Sequence, residues 1–203
     1  VNGVSREILR NKDKAKKYLN ESDKVPNWLL KKWKRDWSKN YKDIFKEHLN
    51  LNPPIDLYVK NNANYWARKL NGKKLGNNCV RLFTPGLITN LEGYELGEWW
   101  IQDYSSQIPV SLLEIQNNDD VLDLCAAPGG KTAQLISLGA KVTSIDNNKK
   151  RLFRLEQNLK RLNYKAIIRN KDIRNFSTKK TWSKIIIDAT CSTTGTLRTN
   201  PEI

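Results

Sequence analysis

The feature that most constrains the fold is a regular alternation of apolar strands and helical segments from residue 119 onward. Apolar runs at 121–124, 141–145, 166–168 and 185–187 have the length of buried strands. Across 148–162, leucines recur every three or four residues, as in an amphipathic helix. Buried strands joined by helices are typical of a parallel sheet. We therefore predict an α/β, Rossmann-like sheet, of which this chain contains the first four strands.

The part of the chain before residue 119 has a different pattern. Pro26 suits the first turn of a helix, and apolar residues that include Trp33 and Trp37 then recur with the spacing of a core-facing stripe. A strand at 55–59 and a helix at 62–70 follow. We predict three regions: a short helical segment at 1–21, a small α+β module at 22–118 and the α/β domain at 119–203.

The net charge of +15 is unevenly distributed along the 203 residues. Residues 1–76 carry 19 basic and 8 acidic side chains, residues 77–140 carry 2 and 8, and residues 141–203 carry 15 and 5. Two basic segments around an acidic one favour a polyanionic partner, and nucleic acid is the partner that we expect. A lysine-rich proteome is the plainer explanation of the same excess.

Other classes of protein are disfavoured by what the sequence lacks. No apolar run approaches the ~20 residues of a membrane-spanning helix. The three cysteines are far apart and there is one histidine, so we expect neither a disulfide framework nor a metal site. The sequence opens without the apolar stretch of a signal peptide. We therefore expect a cytoplasmic, monomeric protein that binds neither membrane nor metal.

Chemically distinctive residues follow each of the four predicted strands. The glycine-rich stretch Cys125-Ala126-Ala127-Pro128-Gly129-Gly130 follows the first strand, and Asp146, Asp172 and Asp188 follow the others. The carboxyl ends of parallel strands meet at one edge of the sheet, where ligands of such folds bind. Adjacent glycines allow close approach of the backbone, and an acidic residue about 20 positions further on suits a ribose diol.

These residues favour a nucleoside ligand that carries positive charge. The dinucleotide pattern GxGxxG is absent, and a Walker A motif would need its first glycine at Cys125. Three carboxylates around one pocket would repel a pyrophosphate. S-adenosylmethionine combines a ribose with a sulfonium and an amino group, and we therefore predict it as the cofactor.

Two longer motifs resemble one enzyme family. Residues 123–132, with the sequence DLCAAPGGKT, resemble motif I of the RNA cytosine-5 methyltransferases of the Nop/Sun family. Residues 188–201 resemble motif IV of that family, with Thr190 and Thr193 at positions that are usually proline and glycine. The stretches 26–29 and 97–103 also fit. Residues 1–4 resemble the last helix of the NusB-like domain in the bacterial member that acts on 16S ribosomal RNA.

The resemblance implies a role for each predicted site residue. Cys125, Ala126, Ala127, Pro128, Gly129, Gly130 and Lys131 would wrap S-adenosylmethionine, Asp146 would hold its ribose, Asp172 would lie near the adenine and Asp188 near the methionine end. Residues 22–118 would handle RNA, and residues 1–21 would end a NusB-like helical domain. The family's strand order, 3-2-1-4, would leave the fourth strand as an exposed apolar edge.

The reaction implied by the resemblance is methylation of C5 in an unstacked cytosine of ribosomal RNA. A cysteine thiolate adds to C6 of the ring and so activates C5, and the family's nucleophile lies in a motif downstream of motif IV. That motif is not among the 203 residues. We therefore expect a chain truncated at both ends that binds S-adenosylmethionine weakly and transfers no methyl group. Cys191 would have the auxiliary role of assisting product release.

Two other interpretations stay open at this point. In one, Cys191 is itself the nucleophile, as the motif IV cysteine is in DNA cytosine-5 methyltransferases. In the other, the protein binds RNA or assists ribosome assembly without catalysis and retains only the shape of the pocket.

Overall fold

The computed structural model describes residues 7, 10, 11, 25–48, 53–189 and 191. The chain divides into two compact units, one formed by Val1–Pro53 and Ser192–Ile203 and the other by Pro54–Cys191. Most of the predicted helical segment at 1–21 and most of the motif IV stretch fall outside the described residues. Of the helices that are described, none is both long and apolar enough to cross a lipid bilayer.

The described part of the first unit is a pair of helices. Helix α1 spans Asn27–Trp37, a 3-10 turn spans Ser38–Asn40, and helix α2 spans Tyr41–His48. Trp33 packs with Val25 and Leu29 in a small apolar cluster, as predicted. Trp37 is instead 57% exposed, so the prediction that it faces the core is wrong. Residues four apart drift around a helix by about 40° per step, so Trp37, the last residue of α1, lies about 80° away from the buried Leu29.

The second unit contains two sheets, the first of which is antiparallel. Its elements are β1 (Ile55–Val59), α3 (Ala63–Lys69), β2 (Lys73–Lys74), β3 (Cys79–Leu82), β4 (Trp99–Ile101) and α4 (Tyr104–Ser111). The strand order is β2-β3-β1-β4. Leu57, Val80 and Trp99 from three of these strands pack against Trp66 of α3 in one core cluster. The strand and helix predicted at 55–59 and 62–70 are confirmed.

The second sheet of this unit is parallel. Its elements are β5 (Asp120–Leu124), α5 (Gly130–Ser137), β6 (Lys141–Asp146), α6 (Lys149–Arg161), β7 (Ile167–Asn170) and β8 (Lys184–Ile187). The strand order is β7-β6-β5-β8, and every pair is parallel. Leu124 lies opposite Ile145 on one side and Ile187 on the other, so the strands end level with one another. The predicted Rossmann-like sheet and its 3-2-1-4 order are confirmed.

Buried polar contacts join the two sheets within this unit. Trp100 Nε1 donates to Gln102 Oε1 (2.8 Å), and Gln102 Nε2 donates to Gln134 Oε1 on α5 (2.7 Å). Lys60 Nζ donates to the carbonyl oxygen of Leu162, just beyond α6 (2.6 Å). These bonds fix the end of β4 beside the glycine-rich loop. The predicted domain boundary between 118 and 119 falls between the two sheets and stays a prediction.

Candidate functional site

A cavity of about 400 Å³ lies at the carboxyl end of β5. The glycine-rich loop and the first residues of α5 form one side of it. The segment after β4 and the C-terminal part of α6 form the rest. Its polar lining includes Gln102, Asp103, Asp123, Lys131, Asn158, Arg161 and Asp188. All seven predicted loop residues, from Cys125 to Lys131, therefore line one cavity together with the predicted Asp188.

Two residues of the loop adopt a positive φ. Cys125 has φ +60°, in the left-handed region that non-glycine residues seldom adopt. Gly129 has φ +102°, and a Cβ atom built there would lie 2.9 Å from Cγ of Leu155 on α6. The fold therefore requires glycine at 129. A Cβ atom on Gly130 would meet nothing closer than Gln102, at 3.7 Å.

Asp123 is the most unusual group in the cavity lining. Its side chain is fully buried, and Oδ2 accepts a 2.6 Å hydrogen bond from Thr132 Oγ1, which also contacts Ser144 Oγ. Asp123 Oδ1 has no hydrogen-bond partner among the described residues. Burial raises the pKa of this carboxyl to about 7, against the opposing effect of the Thr132 hydrogen bond. A buried carboxylate with one open oxygen is poised to accept a hydrogen bond from a ligand.

Lys131 and Asp188 form an ion pair across the mouth of the cavity. Lys131 Nζ, in the first turn of α5, lies 2.6 Å from Asp188 Oδ2 just after β8. The Asp188 side chain is more than half exposed, whereas that of Lys131 is mostly buried. Together with Asp123, this places two carboxylates and one ammonium group around the same space.

Asp146 lies at the same sheet edge but does not line this cavity. Its Oδ2 accepts from the backbone N–H of Ala127 (3.2 Å), and its Oδ1 accepts from that of Asn148 (2.9 Å). Arg151 supports the same region, because its Nη2 donates to the carbonyl oxygen of Ala127. Asp146 therefore ties the glycine-rich loop to the start of α6. Its predicted role at a ribose stays a prediction.

Asp172 and Cys191 also lie outside the lining of this cavity. Asp172 follows β7, and its carboxylate accepts from Arg174 Nη2 (2.6 Å) and from the Arg174 backbone N–H (2.9 Å). These hydrogen bonds from Arg174 lower the pKa of Asp172 to about 2. Cys191 is exposed and lies four residues after the end of β8. The roles assigned to both residues stay predictions.

Several residues of the cavity lining were not predicted as site residues, among them Asp123, Arg161 and Gln102. Asp123 does carry a signal in the sequence, because a carboxylate inside an apolar strand is costly to bury. Arg161 donates through Nη1 to the carbonyl oxygens of Tyr94 and Trp99, and its buried Nε has no partner among the described residues. Nothing in the sequence distinguishes Arg161 from a solvated arginine. Gln102 likewise carries no signal of burial.

Comparisons with known proteins agree with this geometry. Residues 110–203 match the family model for the 16S rRNA methyltransferase RsmB/F. Ribosomal RNA small subunit methyltransferase B of Enterobacter sp. (strain 638) is 34% identical over 221 aligned positions, which cover 100% of this chain and 51% of that protein. The chain thus spans about half the length of the curated relatives that it matches.

Solved structures show the same fold. The crystal structure of PH0851 has a TM-score of 0.78 at 25% identity, and the match covers 88% of this chain and 44% of that one. A methyltransferase homolog protein from Pyrococcus horikoshii has a TM-score of 0.67 at 24% identity, over 88% of this chain and 66% of that one. Residues 110–203, with the glycine-rich loop within them, are thus similar to the RsmB/F family of 16S rRNA methyltransferases.

Proposed function

We propose that the chain binds S-adenosylmethionine in the cavity beside the glycine-rich loop. We further propose that it is the part of a 16S rRNA methyltransferase that presents this cofactor to C5 of a cytosine. The observation that carries the proposal is Asp123 Oδ1, a buried oxygen with no hydrogen-bond partner among the described residues. It lies in the lining of a cavity whose glycine-rich loop falls within the match to the RsmB/F family model. A volume of about 400 Å³ is in the range of small-molecule sites.

The unpartnered atoms of the lining fit the amino-acid end of this cofactor. Asp123 Oδ1 is an acceptor without a donor, and Arg161 Nε is a donor without an acceptor among the described residues. An α-ammonium group would supply the missing donor and an α-carboxylate the missing acceptor. Pairing each buried group would remove a desolvation cost of roughly 1–3 kcal/mol per group. One zwitterionic ligand therefore complements both residues.

The remaining residues hold the ligand and its surroundings. Asp188 would contribute a second carboxylate near a cationic ligand. The positive charge of the ligand would then compete with Lys131 for the Asp188 carboxylate. Asp146 positions the loop through the backbone of Ala127, whatever else it contacts. By resemblance, Asp146 is assigned to the ribose and Asp172 to the adenine.

The chemistry divides between cofactor and protein. S-adenosylmethionine supplies a methyl group made electrophilic by its sulfonium charge. The chain holds that ligand, orients it and excludes water from it with the loop, Trp100 and Leu162, which all line the cavity. Activation of the cytosine ring requires a thiolate, and we assign that role to a residue outside these 203, with Cys191 in the auxiliary role.

Isothermal titration of S-adenosylmethionine into the chain tests the proposal. We expect binding by the wild-type chain and about tenfold weaker binding by Asp188→Asn, because one charged acceptor is lost. Asp120→Asn is the matched control: this aspartate pairs with Lys180 at the opposite end of β5 and should not affect binding. No binding by the wild-type chain at millimolar ligand would refute the proposal.

Methyl transfer separates the assigned role of Cys191 from the alternative role. With tritiated S-adenosylmethionine and 16S rRNA, we expect no incorporation by this chain alone and no covalent adduct with RNA containing 5-fluorocytosine. An adduct that disappears in Cys191→Ser would instead make Cys191 the nucleophile. RNA binding that persists without any cofactor binding would favour the non-catalytic interpretation.

A further inference from the structure

Helix α6 has two faces with different surroundings. Leu152, Leu155 and Leu159 are buried in the core cluster, where the partly buried Ile168 of β7 packs against them. This packing fixes the rotation of the helix. The opposite face, at Lys149, Lys150, Phe153, Arg154, Glu156, Gln157 and Lys160, is exposed.

Phe153 stands at the centre of a group of cations on that face. Its side chain is 59% exposed. Lys149 and Lys150 precede it by four and three residues, a spacing that puts side chains about 5–6 Å apart on one helix face, and Arg154 follows directly. None of these three cations forms an ion pair with another described residue. We call these four residues the α6 patch.

Two cations of the α6 patch, Lys149 and Lys150, do not serve the stability of the helix. The first turn of α6 contains Lys149, Lys150 and Arg151 and no acidic residue. Positive charge there opposes the helix dipole, by roughly 0.3–1 kcal/mol per charge. Arg151 is explained by its contacts with Ala127 and Asp146. Within the described part of the chain, Lys149 and Lys150 have no such structural contact. Departures from local stability of this kind are expected at functional sites.

An exposed phenylalanine alone, or a charged helix face alone, is an ordinary surface feature. The combination is more specific. Proteins that bind single-stranded nucleic acid combine cations that contact the backbone with aromatic rings on which bases stack. Cations alone would suffice for the phosphates of a duplex, whose bases are already stacked on one another.

We infer that the α6 patch binds an unpaired segment of the RNA substrate, with one base stacked on Phe153 and phosphates contacted by Lys149, Lys150 and Arg154. The inference rests on the proposed function for the identity of the partner as RNA. It adds a surface and a mode of recognition that the cofactor cavity does not supply.

The stacking contact is tested by fluorescence anisotropy with a labelled 12-nucleotide single-stranded RNA and the full 203-residue chain. Phe153→Ala should weaken binding about 5- to 150-fold, the range for loss of one stacked base. Phe153→Trp should restore binding, and Phe153→Leu should not. The matched control is Phe83→Ala, because Phe83 is 55% exposed but lies just beyond β3, away from α6. It should leave the affinity unchanged.

The phosphate contacts are tested by the dependence of affinity on salt. Lys150→Gln with Arg154→Gln should reduce the slope of log affinity against log salt concentration by about 1.4, since each contact with a single strand contributes about 0.7. Phe153→Ala should leave the slope unchanged. Lys141→Gln with Lys179→Gln removes the same charge at the amino ends of the strands and should alter the slope less.

Two results would overturn the inference. One is equal loss of binding in Phe153→Ala and Phe83→Ala. The other is a 12-base-pair duplex that binds as tightly as the single strand, with the affinities of both unchanged by Phe153→Ala. Titration of the same variants with S-adenosylmethionine separates this inference from the proposed function. The affinity for S-adenosylmethionine should be unchanged in all of these variants. Failure of the wild-type chain to bind the cofactor would count against the proposed function alone.

Discussion

Two buried aspartates, one in each sheet of the second unit, show how differently the two regions use a charge. Asp56 on β1 accepts two hydrogen bonds from Arg81 (2.7 and 2.8 Å) and one from the Tyr104 backbone N–H (3.0 Å). Asp123 on β5 accepts one from Thr132 and has an oxygen with no partner among the described residues. Both side chains are almost completely buried.

The difference separates a structural group from a functional one. Burial of a charge is tolerated when the protein supplies every partner, as it does for Asp56. Where a partner is missing, the cost persists until a ligand provides it. The antiparallel sheet thus uses its aspartate to stabilise the fold, whereas the parallel sheet keeps an open acceptor inside the proposed cofactor cavity. The predictions below test this contrast.

The largest effect should come from the pH dependence of Asp123. Its folded-state pKa of about 7 lies above the unfolded value of about 3.9, so the group's contribution to stability is complete below pH 4 and is lost as the pH rises through 7. Asp123→Asn lacks this loss. The free energy of unfolding of the variant, relative to that of the wild type, should therefore rise by about 3 kcal/mol between pH 4 and 7.5. Urea unfolding across that range measures the difference, and parallel profiles would contradict it.

Removal of the paired aspartate should have the opposite sign. Asp56→Asn leaves Arg81 without its partner, and we expect a loss of about 2 kcal/mol, less than for a fully buried pair because the Arg81 side chain is 34% exposed. The loss should persist from pH 6 to 8. Urea unfolding of Asp120→Asn, whose exposed pair with Lys180 should contribute under about 1 kcal/mol, is the control. An equal loss in the free energy of unfolding for the two variants would contradict the structural role assigned to Asp56.

A smaller effect is expected from the two glycines of the loop. Gly129→Ala forces a left-handed φ and a close contact with Leu155, at a cost of about 1.5 kcal/mol. Gly130→Ala lies in helix α5 with room for its Cβ, and should be neutral or stabilising by up to about 1 kcal/mol. Thermal unfolding of both variants compares them directly. Equal destabilisation would show that the loop backbone is not set by Gly129.

The smallest effect on stability concerns the edge of the parallel sheet. Among the described strands, β8 pairs only with β5, and its Ile185 and Ile187 are more than half exposed. An unpaired apolar edge promotes association. Ile187→Lys should change the free energy of unfolding by less than about 0.5 kcal/mol while it raises the concentration at which light scattering begins. An unchanged onset of scattering would argue against association through this edge.

The sequence predicted the parallel sheet well because its signals are redundant. Four apolar runs, a leucine-spaced helix and a glycine-rich loop all indicate a parallel α/β sheet. The family resemblance implies the strand order 3-2-1-4, and the structure confirms both. The loop residues and Asp188 could be predicted to meet for the same reason, because parallel strands end at one edge. The prediction for Trp37 failed because this residue ends α1 and is rotated away from the buried Leu29.

The unpartnered donor and acceptor atoms of the site could not be predicted, because they depend on hydrogen-bond partners that are distant in sequence. Periodicity places Arg161 at the polar end of α6 but does not reveal that it donates to carbonyls more than 60 residues away. The two oxygens of Asp123 differ through a single contact with Thr132. The sequence places the carboxyl group of Asp123 inside an apolar strand, but it does not show that one oxygen of this group lacks a hydrogen-bond partner among the described residues.

The most direct test of the account is the affinity of S-adenosylmethionine for the wild-type chain and for Asp123→Asn, measured by isothermal titration at pH 6 and pH 8. The account predicts that Asp123→Asn binds about 10- to 100-fold more weakly at pH 8, because a hydrogen bond to a charged acceptor is lost. It also predicts that the ratio of wild-type to Asp123→Asn affinity rises from pH 6 to pH 8 as this carboxyl ionises, because titration of the ligand's own α-amino group affects both chains alike. Equal affinities of the two chains at pH 8 would contradict the assignment of Asp123 to the cofactor.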